Sequence, residues 1–444
     1  MADHVFHRST RSELSTVVGG SGIELVTADG RRFMDASGGA AVSCLGHGHP
    51  AVVQAIARQA EALAYAHTSF FTNEPAEALA DCLVAAAPKG LSRVYFVDNG
   101  SAAVETALKM ARQYQVERGT PRRSRVISRR QSYHGNTLGA LAVSGNMSRR
   151  APYEPFLFES SRIEPCFEYH YARPGQSAAD YGRQAADALE VELLRVGPET
   201  VMAFIAETVV GATAGAVPPV PGYLRRIREI CDRHGVLLIL DEVMCGAGRT
   251  GSFLACEQDG VTPDIVTLAK GLAGGYQPIG AVLCSDAVYQ AFAAGSGAFV
   301  NGHTYSAHAL ACAAALAVQK VIREEHLLDR VRAAGARLQA GLLERFGKHR
   351  HVGDVRGRGL LMALELVAAR ETKTPFDPAF KLSAGVKAEA FARGLLVYPG
   401  SGTMDGTRGD HVLLAPPYNV TDTELDVIVE RLGVAVDVAI AGVQ

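Results

Sequence analysis

The chain has 444 residues, with 44 Lys and Arg against 46 Asp and Glu and a hydrophobic share of 48%. This is a globular composition with length for two or three domains, which excludes a disordered or fibrous chain. A formal charge of −2 supplies no positive field for a phosphate backbone or an anionic membrane surface, so neither nucleic acid nor a membrane is an expected partner.

In chain order, residues 1–13 show no basic stretch followed by an apolar run, so no secretory signal is expected and the protein reads as soluble and cytoplasmic. Short strands are predicted at 23–27 and 32–35. Residues 1–55 are too few for their own core and are expected to pack on the carboxyl-terminal domain. The Gly-rich segment MDASGGAAVSCLGHGHP lets backbone approach a ligand closely, or equally makes a tight turn.

From 56 to 320, strands predicted at 93–97, 125–128, 201–206, 236–240, 264–268 and 279–283 alternate with helical patterns at 102–118, 178–195 and 223–234. That alternation implies βαβ units, hence a large α/β domain with a mostly parallel sheet and ligands at the carboxyl ends of its strands. The uncharged stretch 287–319 is broken by Gly, Ser, Asn, Gln and His, a poor membrane span. An Ala-rich helix at 307–325 closes this part. Beyond it, from 321 to 444, helices at 327–346 and 379–393 flank strands near 360–366, 395–398 and 411–414, which describes a smaller α+β domain. Eight cysteines at irregular spacing, with no C-x-x-C pair, argue against a disulfide framework, and no histidine pattern has metal-ligand logic, so no metal is expected.

Of eight lysines, Lys270 alone ends an apolar strand, DIVTLAK, immediately before GLAGGYQPIGAV. An amine held half-desolvated there can serve as a Schiff-base nucleophile; standing alone, the pattern favours an ordinary strand-end lysine. In LLILDEVMCGAGRTG, Asp241 ends another apolar strand before glycines. Such an acid either caps the loop or pairs with a cation such as a protonated pyridine nitrogen. In DNGSAAVETALK, the residues Asn99, Gly100 and Ser101 form a strand-to-helix turn, which is either a plain N-cap or a phosphate cradle. A phosphate cradle, an acid and a lysine on one edge of one sheet are together what pyridoxal phosphate requires.

With these motifs the chain resembles the class III pyridoxal-phosphate aminotransferases, of fold type I, over roughly residues 22–432 and most specifically over 237–282. The resemblance implies that Lys270 forms the Schiff base and shuttles the substrate proton, that Asp241 binds the pyridine nitrogen, and that Val243 packs on one ring face. Tyr133, in SYHGNTLGALAVSG, would stack on the other face with His134 and Gly135 beside it, while Gly100, Ser101 and Ala102 would hold the phosphate. Glu207, in MAFIAETVVGATAG, matches a carboxylate placed near the ring, or is a solvated strand-end acid. Thr304, in GHTYSAHALACAAAL, matches a threonine that reaches the phosphate from a neighbouring subunit, implying a homodimer or tetramer with shared active sites and residues 69–73 near the boundary. Met244 and Cys245 stand where relatives acting on ornithine or γ-aminobutyrate commonly carry Gln and Thr, which places the chain nearer the ω-amino acid and amine branch. Cys245 reads as packing. Arg408, in TRGDHVLLAPPYNVT, resembles an arginine that swings toward a substrate carboxylate, or is a solvated loop residue. Arg249 is expected in a structural ion pair.

The implied reaction transfers an amino group from an amine or amino-acid donor, including ω-amino donors, to an oxo-acid acceptor in two half-reactions. Racemases and lyases with these motifs stabilise the same carbanion, so the motifs leave them open. A non-catalytic sensor on this fold would normally add a basic helix-turn-helix, and none precedes Gly22.

Overall fold

A computed structural model describes residues 4–443. The outer ends of the first and last predicted segments, 1–3 and 444, lie outside the described residues. The central sheet has seven strands, in the spatial order Leu91–Val97, Gly280–Ser285, Ile265–Leu268, Leu237–Asp241, Val201–Glu207, Arg125–Arg129 and Ser161–Ile163. All run parallel except Gly280–Ser285, which is antiparallel to both neighbours. The reason is local. The link from Leu268 to Gly280 holds only a short 3-10 turn, too little chain for a crossover helix, so the strand folds straight back. Consequently the loop that carries Lys270 stays on the edge where the parallel strands end.

The sequence LLIL of Leu237–Asp241 is apolar throughout because both faces of the sheet are covered. Leu238 and Leu240 face the core that holds Leu189 and Ile227, whereas Leu237 and Ile239 face the helix Gly100–Glu117. Each fully buried aliphatic side chain of this kind contributes about 1.5–3 kcal/mol.

Two smaller sheets of four strands complete the fold. One joins Val352–Arg358, Leu361–Leu366, Asp410–Leu414 and Tyr398–Ser401, all antiparallel. The other joins Val17–Ser21, Glu24–Thr27 and Arg32–Asp35, with Leu395–Leu396 pairing in parallel on its edge. Ile23, Cys44, Leu45 and Val52 pack in one apolar cluster with Leu338, Leu364, Val412 and Ile428.

The single strand expected at 395–398 is thus two, Leu395–Leu396 in one sheet and Tyr398–Ser401 in another. The helix expected at 379–393 breaks at Lys381, whose φ of 50° ends the 3-10 turn Pro378–Phe380 before Leu382–Ala392 begins. No helix among the described residues is long and apolar enough to cross a membrane.

Arg249 corrects an expectation. Among the described residues it makes no ion pair; its buried Nη1 donates to the carbonyls of Leu360 and Pro416, at 3.2 and 2.5 Å, and its guanidinium lies 4.7 Å from the Tyr418 ring centroid. The charge ties the loop after Asp241 to the small sheet's connections through backbone oxygens.

A buried polar network lies under that sheet. Arg356 bridges Glu365 at 2.6 Å and donates to the carbonyl of Gly215 at 2.7 Å, while His170 Nε2 meets the other Glu365 oxygen at 2.5 Å. Burial and the Arg356 charge push the neighbouring His411 imidazole down to about 4, and its Nδ1 bonds Thr403 Oγ1 at 2.7 Å. The unfolded chain takes up this proton near the ordinary value of 6.5, whereas the folded one does so only near 4. Stability is therefore complete above pH 7 and falls by about 3 kcal/mol as pH drops through that window. Glu365 is raised by burial, but Arg356 and His170 outweigh that and hold its carboxyl below the usual range, so its loss on acidification has the same sign. Thermal midpoints measured from pH 7 to 4 are expected to decline less steeply in His411→Asn than in the parent.

Candidate active site

Because the parallel strands end together, register brings their last residues side by side. Glu207 pairs with Asp241, and Asp241 with Thr267. Lys270 follows two residues after the strand Ile265–Leu268, with a φ of 48° that a non-glycine residue adopts only where its surroundings impose it. Desolvation lowers the Lys270 amine from its ordinary value, opposed by Asp241 and Glu207. A larger share of neutral amine results, the form that acts as nucleophile or base.

Asp241 is buried and fully oriented. Its Oδ1 accepts from Val243 N at 3.0 Å and Thr267 Oγ1 at 3.2 Å, while its Oδ2 meets His134 Nδ1 at 2.8 Å. With Nδ1 as donor, Oδ2 keeps a lone pair for one further donor. The role of Thr267 escaped the sequence reading; its signal was a lone hydroxyl in an otherwise apolar strand, whose partner depends on register. Glu207 is also buried, and burial raises its carboxyl, opposed by His134 and reinforced by Asp241. Its Oε1 accepts from Tyr133 N at 3.0 Å and its Oε2 from Gly211 N at 2.8 Å. It fixes the backbone that carries Tyr133.

Glu242, next to Asp241, has a different task. It accepts from Thr208 Oγ1 and Cys256 N, both at 2.8 Å, and from Ala255 N at 2.5 Å, a wholly buried clamp between loops. Cys245 is buried, and desolvation first, then Glu242, raises its thiol well above the ordinary value, so it is packing and no nucleophile.

The helix Gly100–Glu117 begins at the same edge, with Asn99 as N-cap accepting from Ala102 N at 2.9 Å. That bond commits the Ala102 amide, so the first-turn donors left for a ligand are those of Gly100 and Ser101. Ser101 Oγ accepts from Asn136 N at 2.9 Å, which leaves its own proton to donate. A Cβ on Gly100 would meet Val243 Cγ1 at 2.9 Å. One on Gly135, at a φ of 133°, would meet Ser101 Oγ at 2.7 Å.

These groups surround one cavity of about 890 Å³, lined by Gly100, Ser101, Tyr133, His134, Gly135, Glu207, Asp241, Val243 and Lys270. Met244, Gln277, Tyr398, Arg8 and Arg149 also line it, and none of the five was expected as a binding residue. Three candidates lie elsewhere. Ala102 is buried behind the turn, Thr304 is exposed with its carbonyl accepting from Tyr65 Oη at 3.0 Å, and Arg408 is 58% exposed with Nε on Asp405 Oδ2 at 2.7 Å. The residues present fit pyridoxal phosphate: an amine, an oriented carboxylate with a free lone pair, and a helix start whose Gly100 and Ser101 amides and Ser101 hydroxyl can donate, with Gly100 packed against Val243 and Gly135 against Ser101 too closely for any Cβ.

The model of the class-III aminotransferase family matches residues 5–436. An aminotransferase of Schizosaccharomyces pombe is 47% identical over 440 residues, 99% of this chain and 96% of its own length. The taurine–pyruvate aminotransferase of Rhodobacter capsulatus is 37% identical over 443 residues, 97% of this chain and 95% of its own. A solved ω-transaminase from Pseudomonas jessenii, in complex with PMP, superposes with a TM-score of 0.91 at 32% identity, covering 96% of this chain and 93% of that one. These likenesses do not favour the racemase, lyase or sensor readings. The chain belongs to the class III aminotransferases, enzymes that use pyridoxal phosphate to move an amino group from a donor to an oxo-acid acceptor.

Proposed function

We propose that Lys270 Nζ is the amine through which the cofactor's aldehyde is attached to the chain, and that it moves the substrate proton. The observation that carries this is one desolvated lysine lining the same cavity as two buried carboxylates, and feeling their charge, where parallel strands end. The bound cofactor supplies an electron sink for charge developing at the substrate carbon. Asp241 Oδ2 holds the proton of the ring nitrogen, kept in orientation by His134 and Thr267. Tyr133, its backbone fixed by Glu207, and Val243 would flank the cofactor ring from the cavity walls. Gly100 and Ser101 hold the phosphate at the helix start, while Ala102 serves the cap that shapes the turn.

Thr304 belongs in this reading to the neighbouring protomer's site. It adjoins an aromatic surface in which Tyr65 contacts Tyr305 at 6.1 Å and His67 contacts Phe70 at 6.0 Å between ring centroids. Phe70 and Phe71, 79% and 67% exposed, form an apolar patch of the kind that marks an interface, which supports a homodimer with shared sites. All eight cysteines are unpaired, which supports a reducing, cytoplasmic setting. For substrate we assign an amine or ω-amino acid donor, with Met244 on the cavity wall.

Visible spectra of the holoenzyme with single donors and no acceptor test the reading. A productive donor should convert the cofactor band to that of the aminated form and release one carbonyl product per site. Racemisation or elimination without that conversion would overturn it.

A further inference from the structure

Every oxo-acid acceptor carries a carboxylate, and the cavity must offer it a cation. The charged side chains that line it are Asp98, Glu207 and Asp241 on one side of the balance, and Lys270, Arg8 and Arg149 on the other. Lys270 is taken by the chemistry. Arg408, the expected candidate, is turned to Asp405 and does not line the cavity.

Arg149 stands differently. It sits in the turn Met147–Arg150, where Asn146 Oδ1 accepts its backbone N–H at 3.2 Å. The adjacent Arg150 is buried and donates to the carbonyls of Leu141 and Ala142, at 2.8 and 2.5 Å, so the turn is nailed to the domain by one arginine and presents the next. The Arg149 guanidinium lies 4.7 Å from the Tyr133 ring centroid. Among the described residues it has no ion pair and no side-chain hydrogen bond, so its planar fork of donors is oriented by stacking yet uncommitted. Arg8 has no comparable anchorage, lying in the segment before the first strand, Val17–Ser21.

We propose that Arg149 recognises the carboxylate of the acceptor, and that of ω-amino acid donors, from its seat on Tyr133. This rests on the placement of the cofactor site made above. It makes Arg149 a specificity residue, because an amine without a carboxylate has no use for it.

The test compares the holoenzyme with Arg149→Leu, Arg149→Lys and Arg408→Leu. Calorimetry gives the Kd of glutarate, which carries carboxylates but neither an amine nor a carbonyl. Titration of the cofactor band gives half-saturation for 4-aminobutyrate and for n-butylamine. Arg149→Leu is expected to weaken glutarate and 4-aminobutyrate by ~10- to 100-fold while n-butylamine is unchanged. Arg149→Lys should recover part of the loss, and Arg408→Leu should leave all three values in place. Equal losses for both amines, glutarate binding that ignores Arg149, or a carboxylate-selective loss in Arg408→Leu would each overturn the proposal. If neither amine converts the band while glutarate affinity still follows Arg149, the anion site stands and the donor assignment falls.

Discussion

Lys270→Ala is expected to lower turnover by about 10⁴-fold or more and to remove the long-wavelength absorption of attached cofactor. The loss is large because the other seven lysines cannot substitute. Of the eight lysines Lys270 alone lines the cavity, with a left-handed backbone and within the Coulombic reach of Asp241 and Glu207. The variant should nevertheless fold. The side chain removed is a desolvated amine with no ion pair among the described residues, so its loss relieves desolvation and breaks no salt bridge. An unchanged thermal midpoint beside lost turnover separates chemistry from misfolding; appreciable residual turnover would refute the assignment.

Asp241→Asn should cost about 10²- to 10³-fold in kcat while the cofactor stays attached. The substitution is nearly isosteric, so Val243 N and Thr267 Oγ1 can still donate to the amide oxygen. The NH₂ group, however, must face either His134 Nδ1 or the ring nitrogen, each of which needs an acceptor there. Lys270 and the Gly100–Ser101 turn are untouched, so the band of attached cofactor remains and only its reactivity falls. Retention of full kcat would show that Asp241 caps its loop and nothing more.

The elements legible in the sequence were those whose pattern is dictated by burial. The runs LLIL and IVTL are apolar on both faces because the sheet is covered on both, and that pattern needs no knowledge of neighbours. The glycine-rich turns after Asp241 and around Lys270 were legible for the same reason. What depends on register or on a distant partner was not. Thr267 reaches Asp241 only across a strand pair, and 395–401 serves two sheets because Leu395 pairs with Met34 while Tyr398 pairs with Leu413. Arg249 was expected to meet a carboxylate, yet its partners are backbone carbonyls that carry no mark in the sequence. Arg408 and Arg149 differ in the same way. Both are loop-borne arginines, and only the three-dimensional path shows one paired with Asp405 and the other stacked on Tyr133.

The most direct measurement is borohydride reduction of the holoenzyme followed by peptide mass mapping. The account predicts the mass of the reduced cofactor on the peptide that contains Lys270, and on no other. That mass on a peptide carrying Lys109 or any other of the eight lysines, or no stable adduct from an enzyme that still transaminates, would contradict it.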